Sequence, residues 1–371
     1  MDQYIGAKKG ENVKRTIGSI IYIIFAVIVT ILMVILNSNI TKLMHTPKEA
    51  FEYTKNYILI CSIGIPFIVG YNVVSGILRG LGNSKASLYF IAIACVINII
   101  VDIILIGFFN LGEIGAAIAT IGSQAISLIV GIMYIKRTSF SKMFLRRYIR
   151  FDGEVIKNVF KLGLPIATQD ALVNISFLII TAIINNLGVV ASASVGIVEK
   201  IIIFAMLVPS SFASAIAVMT AQNIGAGKED RAIKSLYLGI GISLIFGVAF
   251  CGYSQVFPET ITMIFSNDKL VIEGAALYLR SYSIDTIMVA FIFCMNSFFS
   301  GCGHSLFPMI HSLIATFFVR IAGSYFLSKI QGITLYEIGF AAPTATMLSI
   351  IICIVYYKSG YWRKSTIIKL F

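Results

Sequence analysis

Residues 222–228 read Gln222-Asn223-Ile224-Gly225-Ala226-Gly227-Lys228, and the same phrase stands at the head of the chain as Gln3-Tyr4-Ile5-Gly6-Ala7-Lys8-Lys9, 219 positions earlier. Further on, Gly80-Leu81-Gly82-Asn83-Ser84 is matched by Gly301-Cys302-Gly303-His304-Ser305 at an offset of 221, and Glu113-Ile114-Gly115 by Glu337-Ile338-Gly339 at 224. Each match alone is weak. Three in chain order, with a slowly drifting offset, signify a duplicated structural unit.

The residues between these phrases say what the unit is made of. Of 371 residues, 58% are hydrophobic and 12% charged, with a mean hydropathy of +0.92. A soluble domain carries about 25% charged residues, so this chain lacks the polar surface for a water-facing globule, and it is equally unlike a disordered or fibrous one. Uncharged runs of 20 residues or more separate Arg15 from Lys42, Lys55 from Arg79, Glu113 from Lys136, Asp170 from Glu199, Lys200 from Lys228, Lys234 from Glu259 and Glu337 from Lys358. Roughly 20 apolar residues take a helix across the hydrocarbon core. Lipid satisfies no exposed backbone group, so the spans must be helices rather than open strands.

The expected fold is therefore an all-α integral membrane protein of about ten transmembrane helices, at residues 16–37, 54–77, 86–108, 113–135, 163–187, 196–220, 234–256, 278–300, 307–329 and 337–357. Ser300-Gly301-Cys302-Gly303 supplies a turn that divides the overlong apolar stretch from Thr286 to Val319. An even number of spans separates the copies, so the repeats are parallel, an arrangement that commonly builds transporters. The domains expected are an N-terminal lobe of four helices (1–135), a basic cytoplasmic linker (136–161) and a C-terminal lobe of six helices (162–371).

Lys and Arg set the orientation: 21 fall on the side of both termini and 7 on the other, with Arg320 inside a span. The excess places both termini in the cytoplasm of a multi-pass plasma-membrane protein. Cytoplasmic basic loops also account for the net charge of +12 without any nucleic-acid partner. The first 15 residues hold no apolar core of a cleavable signal peptide. Six scattered cysteines form no C-x-x-C pair and read as small buried residues, and His304 and His311, seven apart across a turn, read as non-ligands, so no metal is expected. Arg79-Gly80-Leu81-Gly82-Asn83 lacks the Gly-Lys-Ser/Thr ending of a phosphate loop. No ATP site is visible, and no protein partner is implied.

Two helices precede the Gln-x-Ile-Gly-Ala phrase in the second copy, but only Met1 and Asp2 in the first. By internal symmetry a helix pair is missing, as in a shortened gene model, a fragment or a degenerate protein.

These phrases resemble the multidrug and toxic compound extrusion (MATE) family. The resemblance is carried by Gln-x-Ile-Gly-Ala-x-Lys in each half, by Ser75-Gly76-Ile77-Leu78-Arg79-Gly80-Leu81-Gly82-Asn83-Ser84, by Leu111-Gly112-Glu113-Ile114-Gly115-Ala116-Ala117-Ile118-Ala119-Thr120, and by Leu162-Gly163-Leu164-Pro165. It covers essentially the whole chain and implies a two-lobed antiporter exporting organic cations in exchange for Na⁺ or H⁺, here with a truncated N-lobe. In the family the first helix carries an acidic residue of the N-lobe cation site, which this chain does not have.

A carboxylate at the bilayer centre costs about 2.5–3.5 kcal/mol on insertion scales, so each one calls for an explanation. Asp102 lies mid-span, and Asn98 shares its helical face at i, i+4. A carboxylate and an amide oxygen are hard donors for a small cation, and Thr120 on the next helix adds a hydroxyl. Buried, the same carboxylate can take up a proton instead. Asn98, Asp102 and Thr120 match the positions at which MATE relatives bind the coupling ion. In the second half Asp170 follows Pro165 near a span start, Asp285 lies toward an outer end, and Arg320 on the next helix offers a pairing charge. Some relatives carry a second acidic cation site in this lobe, but the matching position here is Asn174. Of Pro66, Pro165, Pro209 and Pro343, Pro209 is the hinge candidate for rocking of the lobes.

The expected function is export of amphiphilic organic cations and drugs through the bilayer, coupled to Na⁺ or H⁺. The alternatives are a lipid-linked saccharide flippase of related fold and an inactive fragment. An integral-membrane enzyme needs clustered His, Asp or Cys, and the sequence shows no such cluster.

Overall fold

Three pairs of residues share a left-handed backbone: Lys8 (φ 56°) with Gly227 (φ 69°), Gly82 (φ 82°) with Gly303 (φ 98°), and Asn110 (φ 53°) with Gly332 (φ 78°). The first two separations, 219 and 221, are those of repeated phrases, and the third, 222, lies between the phrase offsets of 221 and 224. The duplication is therefore a repeat of turn geometry as well as of letters. Left-handed backbone suits Gly and tolerates Asn, whereas Lys8 holds it against its own Cβ.

The computed structural model describes residues 1–19, 21–43, 48–138, 148–149 and 151–364, so 139–147 and 150 of the basic crossover lie outside the described residues. No β-strand occurs among the described residues. The chain forms two units, Met1–Ile5 with Lys9–Ile156, and Gly6–Lys8 with Lys157–Phe371. Among the described residues, nine helices are each long and apolar enough to cross a bilayer, and a bent pair makes a tenth. The all-α membrane fold read from the sequence is the fold observed.

The short α1 (Asp2–Gly6) precedes the helices of the first unit: α2 (Gly10–Ile17), α3 (Ile21–Leu43), α4 (Lys48–Ile63), α5 (Ile65–Gly80), α6 (Ser84–Asp102) and α7 (Gly112–Arg137). The first span begins at Ile21 rather than at 16, because Arg15-Thr16-Ile17 complete the separate polar helix α2. Gly18 ends α2 with its backbone against Tyr148. The second span is bent by 50° between α4 and α5. At the bend Gly64 presses on Ile121 where no Cβ fits, and Pro66 enters as the second residue of α5. Asn83 starts α6: its Oδ1 accepts from the Ala86 amide at 3.2 Å, and its Nδ2 donates to Tyr134 at 2.8 Å. Past Asp102 the helix loosens into a π-helical segment, Ile103–Phe108. The described ends of the crossover are held by α2, with Arg15 paired to Asp152 at 2.7 Å and Tyr148 donating to Glu11 at 2.8 Å.

The second unit takes in α8 (Gly153–Asn185) from Lys157 onward, α9 (Val189–Ala205), α10 (Leu207–Gly225), α11 (Glu229–Val256), α12 (Pro258–Thr262) and α13 (Lys269–Cys302). It ends with α14 (Leu306–Ile314), a π-helical segment Ala315–Ile321, α15 (Ala322–Ser328), α16 (Leu335–Gly339) and α17 (Ala341–Lys358). Its core runs along α13, whose Leu279, Cys294, Phe298 and Phe299 are fully buried among α9, α10, α11 and α17. The overlong apolar stretch does divide at Gly303, whose left-handed φ stops α13. Spans read as 163–187, 196–220 and 278–300 instead run Gly153–Asn185, Val189–Gly225 and Lys269–Cys302. Helices extend past their uncharged portions, so charges mark the ends of hydrophobic runs and not of helices.

Proline chemistry explains two features here. Pro165 sits inside α8, which continues through it; the Lys161 carbonyl that loses its helical donor accepts the Ser305 hydroxyl at 3.2 Å. Pro209 cannot donate to Ala205, and the helix breaks there between α9 and α10 at Met206.

Candidate functional site

In the first unit Asn98 and Asp102 stand one turn apart at the C-terminal end of α6, just before the π-helical segment. Such segments frequently mark functional positions in helices, since the widened turn re-aims side chains. Asn98 Nδ2 and Asp102 Oδ1 are both buried without a hydrogen-bond partner. Across from them on α7, Thr120 meets the Tyr57 hydroxyl from α4, and Tyr57 also touches Cys61 and lies within electrostatic reach of Asp102. One turn beyond Thr120, Gln124 Oε1 is likewise buried and unpartnered. The structure thus brings Asp102 and Thr120 around Tyr57, a residue the sequence reading missed. Tyr57 lies among exposed-type residues near a span start, and only the bend at Gly64 and the packing of α4 on α7 bring it here.

The second unit holds an open-mouthed cavity of about 660 Å³ lined by Asn174, Glu199, Tyr282, Asp285, Arg320 and Thr346 among mainly apolar residues. Two expectations need correction. Asp170 is not near a helix start but mid-way along the 33-residue α8, exposed, and is not among the cavity-lining residues. Asp285 is not near an outer end: it lies in the middle of α13 and is 4% exposed.

The anticipated pairing of Asp285 with Arg320 is also absent. Arg320 Nη2 donates instead to the Tyr282 hydroxyl at 2.7 Å, and its guanidinium stacks 4.2 Å over the Phe177 ring. No carboxylate lies within 4.0 Å of it among the described residues. Thr346 borders the Asp285 carboxylate, whose Oδ1 is buried and unpartnered. Glu199 Oε1 accepts from Thr181 at 3.4 Å. Glu199 escaped the sequence reading because spans were delimited by charges, which put it at a span end by construction.

Of the remaining candidates, Asn174 reaches the cavity and donates to the Asp170 carbonyl at 2.7 Å. Pro209 is buried three residues past the Met206 break. His311 is buried, with Nε2 2.8 Å from Asn296 Oδ1 and 3.4 Å from Cys353 Sγ. Among the described residues no group of three His, Cys, Asp or Glu gathers to hold a metal. The cysteines are all free; Cys251, Cys294, Cys302 and Cys353 are buried, but Cys95 is exposed, contrary to the expectation of burial.

A duplicated helical membrane protein with polar sites set among apolar spans is a transporter in class, and not an enzyme. The MatE family model matches residues 1–104 and 165–326, and the chain belongs to that family. It is similar to the probable multidrug resistance protein YoeA of Bacillus subtilis, 26% identical over 99% of this chain and 81% of that protein. It is also similar to the multidrug export protein MepA of Staphylococcus aureus, 24% identical over 76% of this chain and 62% of that protein. Among solved structures, a MATE protein in complex with MaL6 superposes with a TM-score of 0.89 at 20% identity, covering 99% of this chain and 82% of that one. The outward-facing conformation of a multidrug resistance MATE transporter of the MOP superfamily gives 0.87 at 19% identity, covering 96% and 81%.

Proposed function

We propose that this chain exports amphiphilic organic cations and drugs across the plasma membrane in exchange for Na⁺ or H⁺, with both termini in the cytoplasm. Its relatives are multidrug resistance and export proteins by name, which supports the cargo class. The observation that carries the coupling is the Asp102 site, where a carboxylate and an amide one turn apart on α6 are buried without partners and the Tyr57 hydroxyl of α4, bonded to Thr120 of α7, lies within electrostatic reach of the carboxylate. Oxygen donors of this kind suit a small hard cation, and a carboxylate in low dielectric also suits a proton. Asn98, Asp102 and Thr120 are the ion-binding residues on this reading, and cargo release follows a shift between ion-bound and ion-free populations.

Ethidium efflux from cells expressing the chain tests it. Asp102→Asn keeps the shape of the side chain but removes the charge, and is expected to reduce concentrative efflux to the level of cells without the chain. Asp102→Glu is expected to retain part of it. Equal efflux from wild type and Asp102→Asn removes Asp102 from the coupling. Proteoliposomes with a Na⁺ gradient or a pH gradient imposed separately identify the ion.

A further inference from the structure

The second unit's cavity holds a charge arrangement that a site for simple cations does not need. Two carboxylates, Glu199 and Asp285, share it with one guanidinium, Arg320. An Arg set within an apolar span ordinarily spends its five N–H donors on a carboxylate, often two at a time. Here, among the described residues, a single neutral hydroxyl, that of Tyr282, accepts from it at 2.7 Å, and the guanidinium carbon lies 4.2 Å from the centre of the Phe177 ring. Arg320 lines a cavity whose volume, about 660 Å³, is in the usual range for small organic ligands. Nearby, Asp285 Oδ1 is fully buried with no donor to satisfy it. A fastening ion pair would have brought these two groups into contact, and they are not in contact.

We propose that this cavity is a site for amphoteric ligands: a flat organic molecule whose carboxylate is held by Arg320 and whose cationic group is held by Asp285 and Glu199. A molecule carrying only positive charge satisfies the carboxylates but leaves the Arg320 fork unfilled and meets its repulsion. One carrying both charges fills both. The planar body lies among Phe177, Ile202, Val289 and Phe293, which line the same cavity. This rests on the reading of the chain as an exporter of small organic compounds and narrows its cargo.

The test uses two dyes that differ only at the acid group: rhodamine 110, which carries a free carboxylate, and rhodamine 123, its methyl ester. Their affinities for the purified full chain in nanodiscs are measured by fluorescence anisotropy. Wild type is expected to bind the acid about tenfold more tightly than the ester, the effect of a charge-assisted bidentate hydrogen bond. Arg320→Met is expected to reverse the order by weakening the acid and tightening the ester. Arg320→Lys keeps the charge without the fork and is expected to fall between. Equal binding of the two dyes by wild type, binding of neither, or an acid preference that survives in Arg320→Met overturns the proposal. Ethidium efflux by wild-type cells is scored separately. Active efflux with no acid preference overturns the amphoteric site alone, and acid preference without any efflux overturns the exporter reading alone.

Discussion

His304 shows how a single side chain anchors a chain end. It lies in the turn between α13 and α14, outside the spans, and its Nε2 is 2.8 Å from the Lys364 carbonyl. A carbonyl only accepts, so Nε2 carries the proton, and Nδ1 accepts from the Tyr356 hydroxyl at 3.1 Å. Burial and the nearby Lys161 charge hold the imidazole below its ordinary value of 6.5, outweighing the opposing effect of the Lys364 hydrogen bond. The docked state therefore takes up protons less readily than the undocked one. Its stabilisation is complete above about pH 6.5 and is lost as pH falls from there through the lowered folded value. Trp362, the chain's one tryptophan, packs 4.9 Å from Phe298 in the same terminal segment and reports the change. Its emission is expected to shift red reversibly between pH 8 and pH 5 in wild type and to be flat in His304→Gln. An unmoving wild-type spectrum removes His304 from the anchoring of residues 361–364. Lys8 gives a second residue-scale expectation, because its repeat partner is Gly227. Lys8→Gly relieves a left-handed Cβ and is expected to raise stability by up to about 1 kcal/mol, after the entropy cost of glycine is set against the strain. Unchanged or lowered thermal stability in detergent contradicts it. At this scale the sequence reveals types and not neighbours: Asp102 was legible because a carboxylate among apolar residues is conspicuous. Tyr57 and Gln124 are ordinary until packing gathers them.

Among the elements, the number and type of spans were legible, since each rests on some 20 apolar residues, but their lengths were not. Helices α8 and α13 run 33 and 34 residues, about 50 Å at 1.5 Å per residue, so they extend well past a hydrocarbon core of about 30 Å. Nothing in an uncharged run announces that extension, and Glu199 and Asp285 were consequently placed at ends. Where helices cross, glycine sets the distance. A Cβ on Gly247 of α11 would stand 2.8 Å from the Thr286 carbonyl oxygen and 3.1 Å from Ile287 Cα of α13, which is backbone and cannot swing aside. Gly241, two turns earlier on the same helix, is exposed and meets nothing within 4 Å. Gly247→Ala is expected to cost about 1–3 kcal/mol through overpacking, while Gly241→Ala is neutral or gains up to about 1 kcal/mol of helix propensity. Thermal unfolding of the two variants side by side checks the pair. Equal melting temperatures contradict the close crossing of α11 and α13.

For the whole molecule, the duplication explains why two polar sites exist, and their difference suggests a division of labour. The copies share turns and span order, yet the first presents Asp102 with hydroxyl and amide groups, and the second an arginine that shares a cavity of about 660 Å³ with two carboxylates. If the first site takes the ion and the second the cargo, linkage requires each ligand to change the affinity for the other by the same factor. In an antiporter that coupling is negative. Rhodamine 110 affinity in wild type is expected to fall about fivefold or more as the coupling cation, Na⁺ or H⁺, is raised across its binding range. In Asp102→Asn the same titration is expected to be flat, with dye still bound, because the cargo residues Arg320, Asp285 and Glu199 are untouched. A dye affinity that varies identically in both proteins shows the cation acting on the cargo cavity itself, through Glu199 or Asp285. Loss of dye binding in Asp102→Asn shows that cargo and ion share the first site. Either result ends the division of labour, and only the flat titration with retained binding supports it.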